Sequence, residues 1–254
     1  MNTIAQTNIQ LYNQLRQQNR SAEDLGLIRS AYDLARRLFC SHFQASGAQF
    51  VAHLTGVASI VANLRLPSEY VAAACLHNVY ANADFADGRG KCATQYRRRL
   101  VSDAVGGEIE GLVHRFWRLL RADGATLLDV AKRVDSLDSQ DRQLLVMDLA
   151  DAVENSHELG LLYCGDRRST EYLQREQASL TELARHLGHP ALADMLSSVI
   201  AELEAERTPE SLQPGDPSNV YARQQLPRSC MRRPDIAARH FARQSLRRTL
   251  RRFR

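Results

Sequence analysis

The chain has 254 residues, 44% of them hydrophobic and 24% charged, which is globular composition and excludes wholesale disorder, collagen-like and mucin-like classes. No run approaches the roughly 18 uncharged apolar residues needed to span a bilayer, and the start has neither a basic region nor an apolar stretch before a cleavage site. The net charge of +4 splits into +9 for residues 228–254, with ten Arg and one Asp, and −5 for the rest. These features, with five cysteines and no Cys-x-x-Cys spacing, predict a soluble cytoplasmic protein whose thiols stay reduced.

In chain order, helical spacing of apolar residues recurs almost throughout. Residues 2–19 form the first amphipathic stretch. Ser21-Ala22-Glu23-Asp24 then gives a helix start, followed by Leu25, Ile28, Tyr32, Ala35 and Leu38 every three or four residues. Further helices are predicted over 48–64, 68–80, 93–105, 108–122, 126–134, 139–159, 169–187 and 190–206. Gly47, Pro67, Gly88, Gly90, Gly124, Gly165 and Gly188 punctuate them, and Gly106-Gly107 separates two of them. No segment alternates for long as a strand would, so the predicted fold class is all-α, with a helical domain over 1–206. Five of the seven prolines fall between 209 and 234, marking a linker over 207–234. Beyond it, 235–254 reads as a basic amphipathic tail with Ala238, Ala242, Leu246, Leu250 and Phe253 on one side. A basic segment on an acidic body suits nucleic acid phosphates, an anionic membrane or an acidic partner surface. Arg97-Arg98-Arg99 reads as a solvated helical face, and Asp84 and Asp87 as turn residues of a Gly-containing loop.

Chemistry-bearing residues gather on three of these helices. His53 lies inside the apolar stretch Phe50-Val51-Ala52-His53-Leu54, and His77 ends the next helix, Ala72-Ala73-Ala74-Cys75-Leu76-His77-Asn78. In Leu149-Ala150-Asp151-Ala152-Val153-Glu154-Asn155, Asp151 and Asn155 stand at i and i+4 on one face. Two imidazoles and a carboxylate are a ligand set for a divalent transition metal. An isolated histidine on an apolar helix also serves as a hydrogen-bonded core residue.

The order of these motifs resembles the HD superfamily of metal-dependent phosphohydrolases, specifically the hydrolase domain of the Rel/SpoT-type ppGpp enzymes, over roughly residues 40–160. Those domains read Arg-x-Ser-Gly-Glu-Pro, a His soon after, His-Asp-x-x-Glu-Asp, Gly-x-Glu-Val-Ala-x-Leu-Val and Leu-Ala-Asp-Arg-x-x-Asn. This chain has Gln44-Ala45-Ser46-Gly47-Ala48-Gln49, His53, His77-Asn78-Val79-Tyr80-Ala81-Asn82, Gly107-Glu108-Ile109-Glu110-Gly111-Leu112-Val113 and Leu149 to Asn155. The resemblance implies an HD-like bundle with His53, His77 and Asp151 as ligands of Mn, Fe or Zn. It implies Asn78 and Asn155 as further site residues, Asn155 orienting a phosphorylated small molecule. The departures fall at the chemistry. Asn78 replaces an anionic ligand, Ala81 and Asn82 replace a Glu-Asp pair that handles the attacking water, and Gln44 replaces an Arg. His77-Asn78-Val79-Tyr80 is also similar to a divergent HD-like family with Ser or Ala, then Tyr, after the second histidine. The expectation is therefore a degraded metal site, either weakly hydrolytic or binding without catalysis; the alternative is a non-enzymatic interaction protein tethered by its tail. His114 and His157 are further candidate ligands, of the kind seen in HD-type di-iron oxygenases.

Overall fold

A computed structural model describes residues 4–40, 42–44, 48–122, 124, 126–157 and 167–206, excepting the side chains of Arg167 and Arg168. The linker over 207–234 and the basic tail over 235–254 lie outside the described residues, as do Cys164 and Cys230.

The fold is all-α. Its helices are α1 (Asn8–Gln17), α2 (Ala22–Leu38), α3 (Phe50–Asn63), α4 (Ser68–Ala74), α5 (Val79–Asn82), α6 (Gln95–Val105) and α7 (Gly107–Leu120). Then follow α8 (Leu127–Ala131), a 3-10 turn (Val134–Ser136), α9 (Ser139–Ser156), α10 (Arg167–His186) and α11 (Pro190–Ala205). The one β-type pairing among the described residues is a single bridge between Phe43 and Gln49.

Capping explains most boundaries. Thr7, Ser21 and Thr126 each accept the backbone N–H three residues on, and Gln10, Asp24 and Asp129 return the bond, so orphan donors at the starts of α1, α2 and α8 are satisfied reciprocally. The first helix therefore starts after Thr7, not at residue 2 as its spacing suggests. Asp138 caps α9 from one side only, accepting from the Asp141 N–H. Gly106 takes φ +86°, a conformation that L side chains rarely adopt, and so turns the chain from α6 into α7.

Helix α3 is the central element. Every residue from His53 to Ala62 is buried, and it packs against α4 and α9, whose faces contribute Val71 to Ala74 and Leu144 to Ala150. Its other neighbours are α1 and α2, while α7 covers α4 with Ile109, Leu112, Val113 and Phe116. Helices α10 and α11 pair with each other, and α11 also rests on α9. One apolar core runs from Ala5 to Leu203. Among the described residues no helix is long and apolar enough to cross a membrane.

Two differences from the sequence-based expectations matter for function. The helix expected over 68–80 is broken between Cys75 and Asn78, where successive N–H groups reach only three residues back: Leu76 to Ala73, His77 to Ala74 and Val79 to Leu76. The Ala74 carbonyl is taken by His77 Nδ1 at 2.7 Å, so it is not left to the amide of Asn78 that would have continued the helix. The basic run at 97–99 is not a solvated face. Arg97 is 2% exposed, the partly exposed Arg98 binds the buried Glu110, and Arg99 is exposed.

Candidate metal centre

Three segments distant in sequence supply the centre. His53 projects from the first turns of α3, His77 from the tight turn after α4, and Asp151 from the middle of α9, and all three are buried. One ligating atom from each lies within 4.8 Å of the other two, and this is the group of three or more potential ligands found among the described residues. Asp151 Oδ1 is 3.2 Å from His53 Nε2 and 3.6 Å from His77 Nε2.

The two histidines are held in different ways. His77 donates Nδ1–H to the Ala74 carbonyl, which leaves Nε2 as the nitrogen with a lone pair, and the Asn78 amide donates to it at 2.8 Å. His53 has a carboxylate on each side, Glu154 at Nδ1 and Asp151 at Nε2. Burial alone would lower its pKa, but the charges and hydrogen bonds of Glu154 and Asp151 push it up to about 10. His53 is therefore an imidazolium without a metal. Burial would raise the Asp151 carboxyl, yet the hydrogen bond and charge of His53 hold it well below the usual range.

Asp148, Asp151 and Glu154 recur every three residues on α9, and cations alternate with them. Arg121, at the end of α7, donates Nη2 to Asp148 at 2.5 Å and to Asp151 Oδ2 at 3.0 Å. His53 fills the next interval, between Asp151 and Glu154. Burial pushes the Asp148 carboxyl up, opposed by Arg121. Phe116 supports both sides of this array: its ring meets His77 edge to face at 5.7 Å, and the Arg121 guanidinium lies 5.1 Å from its centroid.

Amides form the outer layer. Asn155 donates to Asp151 Oδ1 at 2.9 Å and accepts from Gln44 Nε2 at 3.0 Å, joining the segment before α3 to α9. Phe50 lies edge to face with His53 and stacks on Phe39, which closes the apolar side. Thus Asn78 and Asn155, the two further site residues expected from sequence, each hydrogen-bond a member of the three-residue group.

The donor set fits a divalent transition ion. It offers two imidazole nitrogens and an anionic oxygen, the mixed N and O chemistry that Mn, Fe and Zn accept. Coordination would take the Nε2 proton of His53 and move the Asn78 amide off His77 Nε2; turned over, the same amide offers a carbonyl oxygen. His114 does not join the group. It stacks on Trp117 at 6.2 Å and 20°, beside Tyr80, and burial holds its pKa lower than usual. His157 does not join the group either.

Arg121, Asp148 and Glu154 were not anticipated from sequence. The i, i+3 recurrence of acidic residues inside an apolar helix is the signal that would have found two of them. Asp84 and Asp87 do act as turn residues, accepting from Ala86 and Arg89 two positions on.

Residues 34–121 match the model of a family described as Domain of unknown function (DUF6817). The match takes in both histidines and Arg121 and ends before α9, so about a third of the chain is covered and the acidic residues lie outside it. None of the curated proteins compared with the chain matches it.

Proposed function

We propose that the protein is an HD-type domain that holds one divalent cation on His53, His77 and Asp151 and binds a phosphorylated small molecule there, with hydrolysis slow or absent. The observation that carries this reading is the convergence of three buried donor atoms within 4.8 Å of one another, from segments whose order resembles that family's. A bound cation supplies Lewis acidity toward a phosphoryl oxygen. The remaining roles belong to the chain. Asn78 offers a neutral carbonyl oxygen where the family has an anion, so the cation is held weakly. Asn155 and Gln44 orient the ligand through their amides at the outer edge. Ala81 and Asn82 cannot accept a proton, which removes the general base and slows turnover. A cytoplasmic setting suits a chain of five cysteines with no Cys-x-x-Cys spacing.

Two measurements test this. Protein prepared without chelator should carry Mn, Fe or Zn at up to one ion per chain, and Asn78→Asp should tighten Mn binding about tenfold, roughly 1.4 kcal/mol. With added Mn, Asn78→Asp combined with Ala81→Glu and Asn82→Asp should hydrolyse a ppGpp-like nucleotide faster than the natural sequence. Robust turnover by the natural sequence refutes the degraded-site reading, and lack of metal uptake by either protein refutes the metal reading.

The charge split favours a second reading, in which residues 228–254 tether the acidic body to nucleic acid or to an anionic membrane. Deleting them should abolish retention on heparin and on anionic vesicles at low salt. Equal retention of the deletion variant would refute it.

A further inference from the structure

Glu154 belongs to neither the motif order nor the proposed ligand set, yet it is buried against His53. It stands on α9 one turn beyond Asp151, 101 residues from its partner in the chain. Among the described residues its carboxylate meets no hydrogen-bond donor except His53 Nδ1. Room for it comes from Gly56, one turn after His53 on the same face of α3. A Cβ at position 56 would lie 3.0 Å from Glu154 Cδ, 2.8 Å from Oε1 and 2.6 Å from Cγ, the last two separations that real Cβ atoms essentially never show. Gly56 has an ordinary helical backbone, so the absence of a side chain serves this approach and not a turn.

An imidazole ring has two edges, and what binds one decides what the other can do. Left to itself, His53 could rotate about its Cβ–Cγ bond or present either nitrogen. With Nδ1–H held by Glu154, Nε2 is fixed toward Asp151 and His77. A carboxylate behind a ligating histidine also raises the ligand strength of the far nitrogen.

We infer that Glu154 is the positioning residue of this centre, acting through His53, and that Gly56 is the residue that admits it. The consequence for metal affinity rests on the metal reading above; the orientation of the ring does not.

The test uses the full chain and Co(II), whose visible spectrum reports both occupancy and geometry. Glu154→Gln keeps an acceptor for Nδ1–H but no charge, and should weaken Co(II) binding about 10-fold; Glu154→Ala should weaken it about 100-fold. Gly56→Ala should fold, since alanine suits a helix better than glycine, and should weaken binding as Glu154→Ala does. Adding Glu154→Ala to Gly56→Ala should change the affinity less than about twofold, because both substitutions remove the same contact. In the metal-free chain, the Nδ1 proton held by Glu154 should give a far-downfield proton resonance that both alanine variants lose.

If the unsubstituted chain binds Co(II) and the Glu154 variants bind it equally well with the same spectrum, the inference is overturned and the metal reading stands. If the unsubstituted chain takes up no Co(II), the metal reading falls and the resonance decides: its persistence in Glu154→Ala overturns the positioning of His53, and its loss upholds it. Should Glu154→Ala fail to fold, Gly56→Ala carries the same comparison.

Discussion

Among the described residues, two clusters of buried charge are built on opposite plans. In the first turn of α6, Arg97 uses all five of its N–H donors on the preceding loop: Nε and Nη2 grip the Asp87 carboxylate at 2.9 and 2.6 Å, and the rest go to the carbonyls of Arg89, Gly90 and Cys92. The Phe85 ring, 4.6 Å from the guanidinium, covers it. At the centre between α3 and α9, by contrast, a protonated His53 and Arg121 face three carboxylates, and the His77 lone pair is capped only by a neutral amide. A fully satisfied cation leaves nothing for a ligand to replace. A proton on His53 and an amide on His77 are both exchangeable, so the second cluster is suited to binding and the first to holding a loop.

Removing the closed cluster should have the largest effect. Arg97→Met leaves Asp87 and three carbonyls of the loop without their donor, and breaking a buried pair from one side costs about 3–5 kcal/mol. Urea unfolding should register that loss in full. A loss under 1 kcal/mol would mean that the loop re-pairs with solvent and that the cluster is not closed in the sense argued.

At the open cluster, ligand removal should act on metal uptake more than on folding. Asp151→Asn keeps the shape and loses the anion facing both imidazoles, so Co(II) or Mn affinity should fall by more than about 100-fold, beyond the usual effect of a residue behind a ligand. Titration of the chelator-treated protein measures this. Retained affinity would move the centre elsewhere.

Arg121 separates the two kinds of cluster most sharply, because its removal should change stability and affinity in opposite directions. Arg121→Gln leaves Asp148 buried without its cation, which should lower the stability of the metal-free protein. It also takes a positive charge away from Asp151, which should tighten divalent metal binding roughly tenfold. If both fall together, Arg121 supports the site only as packing against Phe116.

How much of this was legible from sequence follows from the range of each signal. Helical periodicity, caps and the Gly106-Gly107 break are local, and they placed most elements near where the structure has them. His53, His77 and Asp151 were readable because each carries a rare residue type into an apolar helix, and because their order resembles a known family. Glu154 and Gly56 were not, since a glycine in a helix and a glutamate near its end are ordinary until a neighbouring helix brings them together. The break at Cys75–Asn78 depends on a side-chain bond from His77 to the Ala74 carbonyl, which no propensity encodes. Arg97 was misread because a run of three arginines is usually solvated, and its burial is decided by a loop that folds over it.

A third arrangement lies between the two plans, and it gives the smallest effect. Glu110 on α7 accepts two bonds from Arg98 and one from the Tyr80 hydroxyl at 2.9 Å; Glu110 is buried, but the Arg98 side chain is 40% exposed. Burial would raise the Glu110 carboxyl, yet the hydrogen bonds of Arg98 and Tyr80 bring it below its ordinary value. A carboxyl depressed in the folded state contributes stability that is present above its unfolded pKa, near 4.5, and is lost as pH falls through the lower folded value. Solvent screening of Arg98 keeps that contribution to about 1 kcal/mol. Glu110→Gln should therefore lower stability at pH 7 by about this amount, and the gap to the unsubstituted protein should close as pH falls below 4.5. Urea midpoints at pH 7 and at pH 3 provide the comparison. A gap that stays constant across that range would mean that Glu110 acts by packing against Tyr80, with no contribution from its charge.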